Sequence, residues 1–258
     1  MSGWKKLASA AAATGGGLNV EDVFSTYLWE GDASNPRTIT NGIDLSGEGG
    51  LTIIKRRDGG TQNWGWWDTE RGPDSFINSN SFNAENTTAD VDLTDFNSDG
   101  FTLGSNYNLD VNSSGGDFCS WSFRKAPKFF TCLTYTGNGT AGRTVSHNLG
   151  SVPGAILIKC TSNGATNWSM FHREMHATAP QSYRAILNST STPDQSSGFW
   201  NNTLPTATEF TLGSNTEFNG SGRDFVAYLF AHNNSDGEFG PNADQDIIKC
   251  GSYTGLGS

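Results

Sequence analysis

The stretch Phe101-Thr102-Leu103-Gly104-Ser105-Asn106 recurs letter for letter as Phe210-Thr211-Leu212-Gly213-Ser214-Asn215. In both places a loop of Gly, Ser and Asn follows, and then an Asp-Phe pair opens an aromatic segment, at residues 117–123 and again at 224–230. Alternation places Cys119, Trp121 and Phe123 on one strand face, and Val226, Tyr228 and Phe230 on the same face of the second segment.

The neighbouring sequence repeats in the same order. The matched segments are residues 26–27 with 134–135, 37–39 with 143–145, 51–55 with 155–159, and 63–64 with 167–168. The spacing drifts by a few residues, as loop insertions would cause. The chain is therefore predicted to carry a duplicated unit of roughly 100 residues, the size of a domain.

Short predicted strands separated by turn residues favour an all-β fold with two tandem β-sandwich-like repeat units. We predict units at residues 18–126 and 127–246, with Pro127 at the boundary. Residues 247–258 resemble the opening of a third unit, because Cys250 and Tyr253 match Cys132 and Tyr135. We therefore expect the natural protein to continue beyond Ser258.

Composition supports this class and excludes others. The chain has 32 Gly among its 258 residues and 12% aromatic residues, a profile typical of turn-rich β-proteins and too aromatic for a disordered chain. Its net charge of −10 argues against a nucleic-acid partner, which requires clustered Lys and Arg. The four cysteines have no metal-knuckle spacing, and we interpret them as small apolar core residues.

Residues 1–17 are predicted to form an N-terminal anchor. Ser2 can cap a short helix over residues 2–13, which Gly15, Gly16 and Gly17 end. An isolated helix of this length is marginal in water, so it is expected to form against another protein; a frayed tail is the alternative. The docking residues would be Trp4, Lys5, Lys6 and Leu7. No apolar stretch is long enough to span a membrane, and we expect no membrane insertion.

Two further patterns indicate candidate sites. Asp95, Asn97 and Asp99 alternate before Gly100, as in a Ca²⁺ loop, but Asn106 stands where an EF-hand has Glu; an Asx-rich turn is the alternative. We expect no other cofactor.

The second pattern is a tryptophan cluster. Trp64, Trp66 and Trp67 resemble a sugar-stacking platform, in which Trp66 and Trp67 would bind glycan. The second copy stays apolar at these positions, which points instead to core packing.

Several of these segments resemble a family of proteins. Trp67-Asp68-Thr69-Glu70-Arg71-Gly72, the run from residue 118 to 130, residues 135–139 and residues 224–231 are similar to repeats in large virion structural proteins of tailed bacteriophages, especially marine phages and cyanophages. The first seven residues also resemble the start of such proteins. The resemblance covers most of residues 18–258 and supplies no catalytic residues.

The resemblance implies a virion structural protein and no enzyme. We expect the tail-proximal part of a tail fibre, located in a tail appendage, that attaches the fibre to the tail and supports host adsorption. The implied partners are other tail proteins and two further copies of the chain in a homotrimer, with a host surface glycan or receptor bound by distal residues beyond Ser258. A glycan-binding adhesion module and a capsid decoration protein are the alternatives.

Overall fold

β-Strands dominate the computed structural model, which describes residues 16–59, 61–106 and 109–255. The strands are β1 (Phe24–Glu30), β2 (Arg37–Thr40), β3 (Gly50–Arg56), β4 (Gly65–Asp68), β5 (Ser75–Asn78), β6 (Asn86–Thr87), β7 (Leu93–Asn97), β8 (Gly100–Leu103), β9 (Asp117–Arg124), β10 (Phe130–Thr136), β11 (Arg143–Ser146), β12 (Ala155–Cys160), β13 (Ser169–His172), β14 (Tyr183–Ile186), β15 (Asp194–Gln195), β16 (Glu209–Leu212) and β17 (Asp224–Phe230). One-turn helices α1 (Val20–Val23), α2 (Leu45–Glu48), α3 (Ser197–Trp200) and α4 (Thr216–Asn219) and a 3₁₀ turn at Pro180–Ser182 complete the described elements. The predicted all-β class is confirmed.

Two antiparallel six-stranded sheets form the centre of the molecule. The first sheet has the order β1-β9-β3-β4-β5-β6, and the second sheet has the order β10-β17-β12-β13-β14-β15. Each first strand pairs with the last long strand, β1 with β9 and β10 with β17. Strands β2-β8-β7 form a small sheet, and β11-β16 form another. The strand order is therefore the same in both halves, while the predicted limits of the two units stay predictions.

The two six-stranded sheets pack against each other through what we call their inner faces. A shared apolar cluster joins Leu51, Ile53 and Trp66 of the first sheet to residues of the second sheet, among them Phe130, Leu157, Trp168, Val226 and Tyr228. Trp121, Phe123 and Phe230 pack against the same cluster, so these segments alternate as predicted. The two halves of the chain are one packed body.

The opposite, outer faces are covered by the small sheets. Trp29, Trp67 and Phe118 of the first sheet pack against Phe101 and Leu103 of β8. The second sheet packs on β11 and β16 in the same way, with Tyr135 and Phe225 in a cluster with Val145, Phe210 and Leu212. Both copies of the repeated hexapeptide therefore lie in small sheets that close an outer core, with the Phe and the Leu of each copy buried.

Strand register identifies equivalent residues in the two sheets. Trp29 stacks on Phe118 and contacts Phe101, just as Tyr135 stacks on Phe225 and contacts Phe210. Trp29 is therefore the counterpart of Tyr135, and the sequence match of Thr26-Tyr27 with Thr134-Tyr135 is wrong by two residues. The match failed because β1 and β10 are both strands but have few identical residues at equivalent positions.

A polar contact is also repeated at equivalent positions. The Arg37 guanidinium donates to the Glu30 carbonyl and to Asn112 Oδ1. Arg143 donates in the same way to the Thr136 carbonyl and to Asn219 Oδ1. Both asparagines are fully buried, so each arginine ties its small sheet to its six-stranded sheet through a satisfied buried amide.

Residues 17, 18 and 250 lie at one end of the molecule, which we call the linker end because residues 125–129 connect β9 to β10 there. Gly17 donates to the Gly240 carbonyl at 2.8 Å, and Gly240 donates back to the Leu18 carbonyl at 2.8 Å. Cys250 N donates to His232 Nδ1 at 3.0 Å, just past the end of β17. Residues 248–255, predicted to open a third unit, lie in no strand.

Candidate functional site

The predicted docking residues Trp4, Lys5, Lys6 and Leu7 lie outside the residues that the structure describes. The four cysteines are unpaired, and Cys119, Cys132 and Cys160 are buried, as expected of core residues. Among the described residues, no helix is long and apolar enough to cross a membrane.

The predicted Ca²⁺ loop is a tight hairpin. Asn97 pairs with Gly100 across the β7–β8 turn, and its Nδ2 donates to Thr102 Oγ1 at 3.0 Å. The Asp99 carbonyl accepts from Asn41 N and Gly42 N. The backbone is therefore paired and does not wrap around a cation in the way a Ca²⁺ loop requires. Within the described ranges, no group of three or more His, Cys, Asp or Glu side chains could hold a metal ion.

Trp66 and Trp67 do not form the exposed sugar-stacking platform that the sequence predicts, and this prediction is corrected. Trp67 is buried in the outer core of the first sheet, and Trp66 is 8% exposed in the inner core. Adjacent residues of a strand point to opposite faces, so the two rings cannot share one surface. Trp66 contacts Trp168 and Tyr228 at centroid distances of 5.0 and 5.3 Å.

The exposed member of the cluster is Trp64, which lines an open cleft between the two sheets. The cleft has a volume of about 790 Å³ and lies at the end of the molecule opposite the linker end. Its lining consists of Trp64, Trp66, Ser79, Asn80, Leu187, Asn188, Ser189 and Thr190. None of these side chains carries a charge, in a chain with 26 acidic residues.

Trp64 is held in place by its neighbours. Its ring stacks on Trp121 with centroids 5.3 Å apart, and Lys55 Nζ lies 6.0 Å from its centroid. Lys55 Nζ also donates to the Gln62 carbonyl at 2.5 Å, which fixes the β3–β4 connection just before the tryptophan. Trp64 nevertheless stays 38% exposed.

Two equivalent asparagines form the corners of the cleft. Asn80 Oδ1 accepts from Trp64 N at 3.2 Å, and its Nδ2 donates to Asn63 Oδ1 at 2.8 Å. Asn188 Oδ1 accepts from Trp168 N at 2.9 Å, and its Nδ2 donates to Asn167 Oδ1 at 3.1 Å.

Each corner amide keeps binding capacity after these contacts. A carboxamide has two donor hydrogens and two acceptor lone pairs, so the two contacts leave each of them one donor and one acceptor. The sequence analysis missed both asparagines. The signal was present as an Asn-Trp pair followed by a second Asn at a similar distance, at residues 63, 64 and 80 and at 167, 168 and 188.

The ionic cluster nearest the inner core has a structural role. Arg71 pairs with Asp68 at 2.6 Å and with Glu85 at 2.7 Å, and Tyr228 donates to Asp68 Oδ2 at 2.7 Å across the two sheets. Burial acts to lower the pKa of Arg71, but the surrounding Tyr228, Asp68 and Glu85 outweigh it and raise the pKa. Burial raises the pKa of Tyr228 well above its usual value. The cluster is closed and satisfied, and its carboxylates do not line the cleft.

A second groove, of about 600 Å³, lies at the linker end between residues 16–19 and the segment around Phe239. Its lining includes Asp22, Asp44 and Glu238 with one cation, Arg124, which pairs with Glu48 at 3.0 Å. Gly16, Gly17 and Leu18 themselves form part of its wall. This groove is therefore formed in part by the first residues that the structure describes.

These features define an all-β protein of two face-to-face sheets with an uncharged aromatic cleft at one end. The chain belongs to the family described as a domain of unknown function, DUF7483, whose profile matches residues 19–257. No curated protein and no solved structure matches it.

Proposed function

We propose that the chain is a virion structural protein of a tailed phage, the tail-proximal part of a tail fibre that attaches the fibre to the tail and supports host adsorption. The sequence resemblance of residues 67–72 and 118–130 to phage virion repeats supports this role. The structure adds a rigid body in which the two sheets share one apolar core, as a load-carrying module needs.

The observation that carries the proposal is the position of the N-terminal segment. Gly17 and Leu18 are paired with Gly240 at the linker end, and the cleft opens at the opposite end. The N-terminal anchor of residues 1–17, of which Gly17 lies at this end, would dock on tail proteins through Trp4, Lys5, Lys6 and Leu7. The far end would then point away from the tail.

The same proposal includes a homotrimer in the tail appendage and no enzymatic activity. Strands β1 and β10 are edge strands of the two large sheets, and symmetric association is a common way to cover such edges. Asp68 and Glu85, which come together around one arginine, are neutralised by it, unlike the free carboxylate pair of a glycosidase.

Cryo-electron microscopy of intact virions tests the location. We expect three copies per appendage, with residues 1–17 ordered against tail proteins. Density on the capsid lattice would replace this role with that of a decoration protein.

Incorporation of variants into virions tests the anchor. We expect Trp4→Ala combined with Leu7→Ala to reduce the amount of this protein in purified particles at least tenfold, measured by quantitative mass spectrometry. Tyr253→Ala, a change at a residue that is almost fully exposed, serves as the control and should incorporate normally. Equal incorporation of both variants would contradict docking through residues 4–7.

A further inference from the structure

We propose that the cleft between Trp64 and Asn188 binds a neutral saccharide. This inference goes beyond the proposed virion role and does not depend on it, because it rests on the lining of the cleft alone. Its volume of about 790 Å³ lies in the range of small-molecule sites, about 300–1,000 Å³.

The aromatic component of the site is Trp64. The sugar ring has apolar C–H faces, which pack on exposed indole rings, and Trp64 stays 38% exposed while its ring stacks on Trp121. Its counterpart Trp168 stacks in the same way on Tyr228 but is fully buried, because it packs on Trp66 and donates to the Asn78 carbonyl at 2.8 Å. The same aromatic pair is therefore core in the second sheet and surface in the first.

The polar component consists of groups that match sugar hydroxyls. Asn80 and Asn188 each offer one donor and one acceptor from amides whose orientation is fixed by backbone and side-chain contacts. Ser79, Ser189 and Thr190 add hydroxyl groups along the walls. Orienting groups before a ligand arrives lowers the entropic cost of binding.

An unsatisfied buried group provides independent support. Trp66 lines the cleft and is 8% exposed, yet its indole Nε1–H has no hydrogen-bond partner among the described residues. A buried donor without a partner is costly, and such groups in native proteins call for an explanation. The Nε1 atom is fully buried, so a ligand hydroxyl in the cleft would become its partner only after the Trp66 ring turns toward the cleft.

The lining also selects the class of saccharide. No acidic or basic side chain lines the cleft, and Lys55, whose Nζ lies 6.0 Å from the Trp64 ring, already donates to the Gln62 carbonyl. The net charge of −10 further disfavours an anionic polymer. Neutral hexose or N-acetylhexosamine units fit both the amides and the indole.

A printed array of neutral and acidic oligosaccharides, probed with the full chain, is the first test. We expect binding to at least one neutral oligosaccharide, followed by titration calorimetry with that compound. Trp64→Ala should weaken the affinity at least tenfold and Trp64→Phe by less, while Tyr253→Ala, an exposed aromatic elsewhere, should leave it unchanged.

A second measurement guards against misfolding of the variant. Titration of the wild-type chain with the selected oligosaccharide should change its tryptophan fluorescence, because Trp64 is the most exposed of the described tryptophans. Binding to acidic sugars alone, no binding to the array, or equal affinity of wild type and Trp64→Ala would overturn the proposal. Self-association of the wild type that Trp64→Ala abolishes would also overturn it and make the cleft a contact between copies.

Discussion

Trp64 and Trp168 show that the burial of a residue depends on the residues that pack against it in the fold. Both follow an asparagine, both directly precede a strand, and both stack on an aromatic residue of the last long strand of their sheet, β9 or β17. One is 38% exposed and the other is fully buried, because the sheets pack so that Trp66 covers only Trp168. Local sequence cannot distinguish the two, since the difference arises from a contact between the halves of the chain.

Removing one member of the buried ionic cluster should strongly destabilise the fold. Arg71→Met leaves the buried Asp68 carboxylate without its cation, and we expect the free energy of unfolding to fall by about 3–5 kcal/mol. Tyr228→Phe removes one donor to the same carboxylate and should cost about 1–3 kcal/mol. Urea unfolding followed by circular dichroism measures both.

The control for these variants is Arg57→Ala. Arg57 and its partner Asp117 are 3.9 Å apart and about half exposed, so the change should stay within about 0.5 kcal/mol. An Arg71→Met protein as stable as this control would show that the cluster does not hold the sheets together.

Lys159 predicts a pH dependence of stability. Its Nζ donates to the Thr166 carbonyl at 2.7 Å and to the Phe82 carbonyl at 3.2 Å, and burial lowers its pKa from 10.5 to about 8. Between these two values the unfolded chain binds more protons at this group than the folded chain, so its contribution to stability rises with pH. The charged form of Lys159 therefore lowers the free energy of unfolding most below about pH 8.

The comparison of wild type with Lys159→Met isolates this group from Cys132 and Tyr228, whose raised pKa values act in the opposite direction. From pH 7 to pH 10 the wild type should gain on the order of 2 kcal/mol relative to the variant. Urea unfolding of both proteins across this range measures it, and a constant difference would contradict the assigned protonation.

At the scale of elements, four of the long strands could be predicted and the two-residue strands could not. Strands β3, β9, β12 and β17 have apolar or alternating runs of six to eight residues, and these were visible in the sequence. Strands β6 and β15 have two residues each and exist because a neighbouring strand pairs with them. Such pairing is a tertiary effect that local periodicity does not encode.

Two equivalent glycines end the first strand of each sheet, and they predict a matched pair of effects. A Cβ on Gly31 would lie 1.9 Å from the Ser113 carbonyl oxygen, and one on Gly137 would lie 2.2 Å from that of Gly220. Gly31→Ala and Gly137→Ala should each force the crossing loop aside and lower the free energy of unfolding by about 1–3 kcal/mol or more.

Thermal denaturation measures these variants against Gly251→Ala. A Cβ on Gly251 meets no atom within 4 Å, so this substitution should change stability by less than about 0.5 kcal/mol. If all three variants have the same melting temperature, the close approach of the backbone at Gly31 and Gly137 does not contribute to stability.

At the scale of the whole molecule, the shared inner core predicts one cooperative transition. The inner cluster draws on both sheets, and separating them would expose Trp66, Leu157 and Tyr228. Calorimetry should give a single peak, with calorimetric and van 't Hoff enthalpies that agree. Leu157→Ala should move the whole peak down, with a cost of about 2–5 kcal/mol, and should not split it.

Leu204→Ala, at an exposed leucine, is the control for the change in side-chain size and should leave the peak in place. Two resolved peaks, with only one sensitive to Leu157→Ala, would show that the halves fold independently.

The sequence predicted the class of the fold but not the way its halves meet. Alternation in residues 224–230 places Val226 and Tyr228 on one face, yet nothing in that pattern says that this face meets the first sheet. The candidate site was missed for the same reason. The cleft exists only where Asn80 of one half approaches Asn188 of the other. Its lining could not be predicted because the contact between the two halves could not be predicted.

The two units pack through equivalent faces, so in a longer array of such units it matters whether their number is even or odd. Each large sheet has one face that its own small sheet covers and one that the other large sheet covers. Two units bury each other's inner faces. A third unit would have an inner face that neither of the first two covers. We therefore expect arrays of this architecture to contain an even number of units. In an array with an odd number, the unpaired unit should pack its inner face against a unit of a neighbouring chain.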